Sequence, residues 1–196
     1  MPDQPAAPLA GKCGGVATVP RFITRRLHQP IGPLLSRAGQ SILSVRMIDL
    51  FEEFATIIQA FTANKLEYAL CGGMALAVYG IPRATVDMDF LILPESAEEA
   101  RKIAVDLGYK TEAEPMSLAQ GKVQIRRFVK FDPDGEDFLS LDFLLVTPEL
   151  LPVWEGRTRI AWESGSLGVI SKAGLIQMKS LRNSGQDRDD IDGLKE

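Results

Sequence analysis

Asp87 and Asp89 stand one residue apart in Val86-Asp-Met-Asp-Phe-Leu-Ile-Leu93, a run otherwise apolar enough for a buried strand. Residues i and i+2 of a strand project to the same side, so the two carboxylates share a face about 6–7 Å apart. Like charges placed together and partly buried are costly unless something compensates them. A divalent metal would compensate them. Mg²⁺ takes oxygen ligands and is held by one or two carboxylates together with substrate phosphates. Asp142 is a third acid in a comparable place, inside Phe-Leu-Ser-Leu-Asp-Phe-Leu-Leu-Val. An aspartate is unfavourable there on strand propensity and on burial. If its strand lies beside Val86–Leu93, the three carboxylates converge. A purely structural arrangement would instead leave Asp87 at an exposed strand end and let Asp89 cap a loop. It would pair Asp142 with Arg126 or Arg127.

The elements around these acids follow from periodicity and turn residues. Ile48, Phe51, Phe54, Ile58 and Phe61 recur at mostly helical spacing from Met47 onward. Leu66–Leu70 is expected to be a short strand, ended by Gly72-Gly73. Met74–Gly80 follows as a short helix, and Pro82 marks a turn. Pro94 opens a helix that runs to Gly108, with acids in its first turn. Lys122–Phe131 and Phe138–Val146 are strands joined by an Asp132–Gly135 turn. Arg157–Ala161 and Gly168–Ile170 are weaker strands within a mixed stretch from Thr147 to Gly168. A helix from Lys172 and another from Asp187 end the chain. The fold class is α+β: a small mixed sheet with helices mainly on one face and a short helical C-terminus.

Composition narrows the function classes. The chain of 196 residues is 45% hydrophobic and 24% charged, which suits one soluble domain. Cys13 and Cys71 form neither a disulfide framework nor a metal spacing, and His28 is the only histidine. A reducing cytoplasm fits. No apolar run approaches a membrane span. Residues 1–46 carry Lys12, Arg21, Arg25, Arg26, Arg37 and Arg46 against Asp3 alone, a net +5, which leaves −9 on the rest of a chain whose total is −4. An acidic body is poorly suited to generic nucleic-acid binding. Residues 1–46 are expected to be a disordered leader, an upstream start used in place of Met47, or an Arg-rich transit segment. The domain proper is residues 47–196. Gly11-Lys-Cys-Gly-Gly15 lacks the spacing and preceding strand of a phosphate loop. Trp154 and Trp162 fit packing better than a stacking platform, and Cys71 fits a small buried residue better than a nucleophile.

Gly72-Gly73, then Asp87-Met88-Asp89, then Asp142 on a later strand resembles the signature of the polymerase-β-like nucleotidyltransferase superfamily. The string from Cys71 to Ile92 is similar to the bacterial branch containing the abortive-infection toxin nucleotidyltransferases. That branch's Gly-x-x-Arg-x-Thr-x-Asp-x-Asp run is met here by Gly80, Arg83, Thr85, Asp87 and Asp89. In its late helix pattern Lys179, Asp187 and Asp190 match, while Gln186 stands where a lysine is usual.

The resemblance implies transfer of a nucleoside monophosphate from an NTP to a hydroxyl or phosphate acceptor, on a small molecule, a protein or a tRNA. Gly72 and Gly73 would admit the triphosphate close to the backbone, beside a helix N-terminus. Asp87 and Asp89 would hold Mg²⁺, and Asp142 would bind a second ion or take the acceptor's proton. Arg83 and Lys179 would meet the triphosphate, and Thr85 fits a turn position. An alternative is a protein on the same fold that binds nucleotide, or a toxin–antitoxin partner, without catalysis. Relatives carry a fuller helical C-terminal part than the one ending at Glu196, so a partner chain or a second copy is expected to supply the acceptor surface.

Overall fold

The computed structural model describes residues 49–81, 84–133, 135, 137–162 and 165–196. The expected leader, Cys13, His28, Pro82 and Arg83 lie outside the described residues. Helix α1 (Leu50–Ala63) is capped by Asp49, whose carboxylate accepts from the Phe51 and Glu52 amides. It leads to β1 (Ala69–Leu70), α2 (Gly72–Val78) and β2 (Asp87–Ile92). A 3₁₀ turn at Pro94–Ser96 opens α3 (Ala97–Asp106). Two short strands follow, β3 (Thr111–Glu112) and β4 (Met116–Leu118), then the long hairpin of β5 (Val123–Phe131) and β6 (Phe138–Leu145). Helix α4 (Leu151–Glu155) precedes β7 (Thr158–Trp162) and β8 (Gly165–Val169), and α5 (Lys172–Arg182) and α6 (Gly185–Lys195) complete the order.

The strands form one mixed sheet in the order β3-β5-β6-β2-β1-β8-β7, with β4 also paired to β5. β2–β6 and β1–β8 are parallel and the other pairs antiparallel. The sheet is wider than the small one expected, because β3 and β4 were not anticipated. They are only two and three residues long and lie on either side of Pro115, so pairing with β5 decides their conformation. Helix α4 likewise falls in the stretch read only as mixed.

Alternation along β2, β5 and β6 separates two faces. Phe90 and Phe143 point toward α1, where Phe61 lies 5.0 and 6.1 Å from their rings and Phe54 stacks on Phe90 at 6.0 Å. Arg126 is on this side and reaches Glu98 of α3 and Glu112. Asp87, Asp89, Asp142 and Arg127 point to the opposite side. Both tryptophans serve packing. Trp162 stacks on Phe54 at 4.6 Å, and Trp154 is buried beneath the Arg157 guanidinium. Among the described residues no helix is long and apolar enough to cross a membrane.

Candidate active site

The parallel register of β2 and β6 sets Asp89 directly opposite Asp142 and Asp87 opposite Ser140. The antiparallel register of β5 and β6 sets Arg127 opposite Asp142. A single row across three strands therefore reads Asp89, Asp142, Arg127, with neighbouring strands about 4.8 Å apart. Arg127 grips Asp142 with both prongs of its fork, Nε to Oδ1 at 2.8 Å and Nη2 to Oδ2 at 2.7 Å. The same Nη2 lies 3.9 Å from Asp87 Oδ1. The structure thus brings the three acids to one face and also forms the Asp142–Arg127 pair of the structural alternative. These arrangements do not exclude one another.

Gly72 explains how the chain passes above Asp89. Its φ is +63°, and a Cβ built there would fall 1.9 Å from Asp89 Oδ2. The preceding amide, of Cys71, donates to the Asp89 carbonyl at 2.9 Å, so the turn is tied to the strand beneath it. Only glycine meets both the left-handed backbone and the close approach. We expect Gly72→Ala to lower stability by about 1–3 kcal/mol through strain and overlap and to displace Asp89. Gly80→Ala is the comparison, because Gly80 also has positive φ but open space around it. Equal melting temperatures for the two variants would refute this account.

Asp89 lies where burial and two neighbouring acids disfavour its charged form. Burial first, then the Asp142 and Asp87 charges, push its carboxyl up to about 7, while Arg182 and Arg127 pull the other way. A carboxyl that holds its proton more tightly folded than unfolded favours folding at low pH. That benefit disappears as pH rises from about 4 through the folded value near 7. In EDTA, Asp89→Asn should therefore raise the melting temperature over wild type at pH 8 and much less at pH 5. A difference independent of pH would show that Asp89 carries no such penalty.

The other expected residues fall as follows. Gly73 is buried in the first turn of α2. Thr85 makes a local turn, its hydroxyl accepting from the Asp87 amide at 3.3 Å. Cys71 is buried, and burial together with Asp89 and Asp142 raises its thiol well above the ordinary value, which suits a structural residue. Lys179 is buried too, with its ammonium 2.5 Å from Asp190 and 3.5 Å from Asp187 of α6. Arg182, one turn later, donates to Asp187 at 2.9 and 2.6 Å with its side chain half exposed, and its charge acts on Asp89. Arg182 and Arg127 are the two cations of this face that sequence reading did not assign to the site. The signal for Arg127 was its parity with Asp142 in a hairpin; for Arg182 it was its position one turn after Lys179. A separate cleft bordered by Glu67, Arg157 and Arg159 contains none of these groups.

The hard oxygen donors of Asp87 and Asp89 fit Mg²⁺. Among the described residues, however, no three His, Cys, Asp or Glu side chains are gathered closely enough to hold a metal ion.

The fold is similar to that of a candidate nucleotidyltransferase from Thermotoga maritima, at 11% identity over 73% of this chain and 92% of that one, with a TM-score of 0.50. A further similarity, at 13% identity over 74% of this chain and 87% of the other and a TM-score of 0.49, is to ANT(2″)-Ia in complex with adenylyl-2″-tobramycin. No curated protein matches the chain. The family model of the nucleotidyl transferase AbiEii toxin of type IV toxin–antitoxin systems matches residues 54–153, which include the glycine turn and all three carboxylates. Half of the chain lies within that match, and the protein belongs to the AbiEii toxin family of nucleotidyltransferases.

Proposed function

We propose that the protein moves a nucleoside monophosphate from an NTP to a hydroxyl or phosphate acceptor in a Mg²⁺-dependent reaction in the cytoplasm. The observation that carries this reading is the in-register Asp89–Asp142 row beneath the Gly72 turn. Asp87 and Asp89 would hold the ion. A bound Mg²⁺ would supply positive charge to offset that of the triphosphate. Gly72 and Gly73 would let the triphosphate come close to the backbone of the turn. Arg83, from the motif preceding β2, and Arg182, from the end of α5, supply positive charge for it. Lys179 helps hold α5 through its α6 partners. Arg127 fixes the orientation of Asp142 on this face.

The test is thermal melting with each NTP, with and without Mg²⁺, followed by transfer of α-labelled nucleotide to cell extract. Ligand at a hundredfold excess over its dissociation constant stabilises the folded state by about 2.7 kcal/mol. A Mg²⁺-dependent shift for at least one NTP is expected. No shift with any nucleotide, together with no label transfer, would overturn the proposal.

A further inference from the structure

Sites that work with two divalent ions use the second to stabilise the entering and leaving oxygens. In this chain the third carboxylate already has a cation. Both oxygens of Asp142 are taken by one guanidinium, at 2.8 and 2.7 Å, and the residue is 2% exposed. A guanidinium stays charged at every accessible pH, and its planar fork matches a carboxylate. A metal ion approaching Asp142 would have to break both bonds and would then face the released positive charge at contact distance. Arg127 also lies 3.9 Å from Asp87, so its charge stays on this face even while it holds Asp142. Arg126 beside it is committed to the opposite face, at 2.7 Å from Glu98 and 2.6 Å from Glu112, which keeps those carboxylates engaged.

Resting on the metal-dependent reading above, we propose that Arg127 is a resident cation in the place of a second metal ion. It confines the site to one divalent ion held by Asp87 and Asp89. A third of the Arg127 side chain is exposed, 34%, so its outer edge is offered to the reacting phosphate while its inner edge holds Asp142. Arg127 is in this sense a positioning residue for Asp142 and a fixed positive charge for the substrate.

The experiment counts bound Mn²⁺ on the full-length protein by the loss of the free-ion electron paramagnetic resonance signal. One ion per chain is expected for wild type and for Asp142→Asn, with the same affinity, because Asp142 is not a ligand. Two ions are expected for Arg127→Gln, whose folding is checked by circular dichroism, because Asp142 is then released. If that variant does not fold, Asp142→Asn decides. Two ions in wild type, an ion lost or weakened in Asp142→Asn, or one ion in folded Arg127→Gln would overturn the inference and leave the metal-dependent reading standing. No bound ion in wild type would overturn both.

Discussion

Asp89→Asn will abolish nucleotidyl transfer while leaving the fold intact and, above neutral pH without metal, more stable. The expected loss is at least about 10²-fold in rate, since each factor of ten is about 1.4 kcal/mol of barrier and one preorganised electrostatic contact supplies about 3–4 kcal/mol. The pairing of outcomes is what makes this test discriminating. Asp89 faces Asp142 across the strand pair and Asp87 along its own strand, so its charge is a burden to the metal-free fold. Removing the charge relieves that burden, and at the same time replaces the proposed anionic ligand by a neutral amide. A variant that retained transfer of α-labelled nucleotide would end the assignment of Asp89. One that lost activity because it unfolded would show the carboxylate to be structural instead.

Asp187→Ala will have the largest effect on stability, about 3–5 kcal/mol, the cost of stripping a buried charge cluster of one partner. Asp187 is fully buried in the first turn of α6. It accepts from Arg182 Nε and Nη2, from the Ser184 amide at 3.0 Å and from the Ser184 hydroxyl at 2.6 Å, and Lys179 lies 3.5 Å away. Burial opposes the ionised form, but the Arg182 and Ser184 bonds outweigh it and hold the carboxyl well below its usual range. A carboxyl depressed in the folded state stabilises above its unfolded value near 4, and that contribution is lost as pH falls below it. Its pH dependence is thus opposite in sign to that of Asp89. Urea denaturation at pH 7 measures the loss, and hydrogen exchange of the α6 amides localises it. A change under about 1 kcal/mol would mean that Arg182 and Lys179 find new partners without cost. A large loss would also reposition Arg182, so nucleotide affinity should fall with it.

Much of the scaffold around the acids was legible in the sequence. Val86–Leu93 read as a strand and β2 spans Asp87–Ile92; Phe138–Val146 read as a strand and β6 spans Phe138–Leu145. The Gly72-Gly73 pair was read as the end of a strand and the beginning of a helix, which the left-handed Gly72 backbone provides. The two late helices and their order were also expected. Lys179 was less legible. Its place in the motif suggested a ligand for phosphate, but burial and the 2.5 Å contact with Asp190 make it part of the joint between α5 and α6.

The division has a physical basis. Alternation and backbone preference are local, so the sequence alone determined that Asp87 and Asp89 share a face, that a glycine turn precedes them, and that Asp142 sits in a strand too apolar to tolerate it unpaired. Register is not local. Which strand lies beside β2, and at which offset, depends on the whole sheet closing over Phe54, Phe61, Phe90 and Phe143. Only that closure set Asp89 opposite Asp142. It also chose Arg127 over its neighbour Arg126 as the partner of Asp142, because adjacent strand residues point to opposite faces and a one-residue slip would have exchanged them.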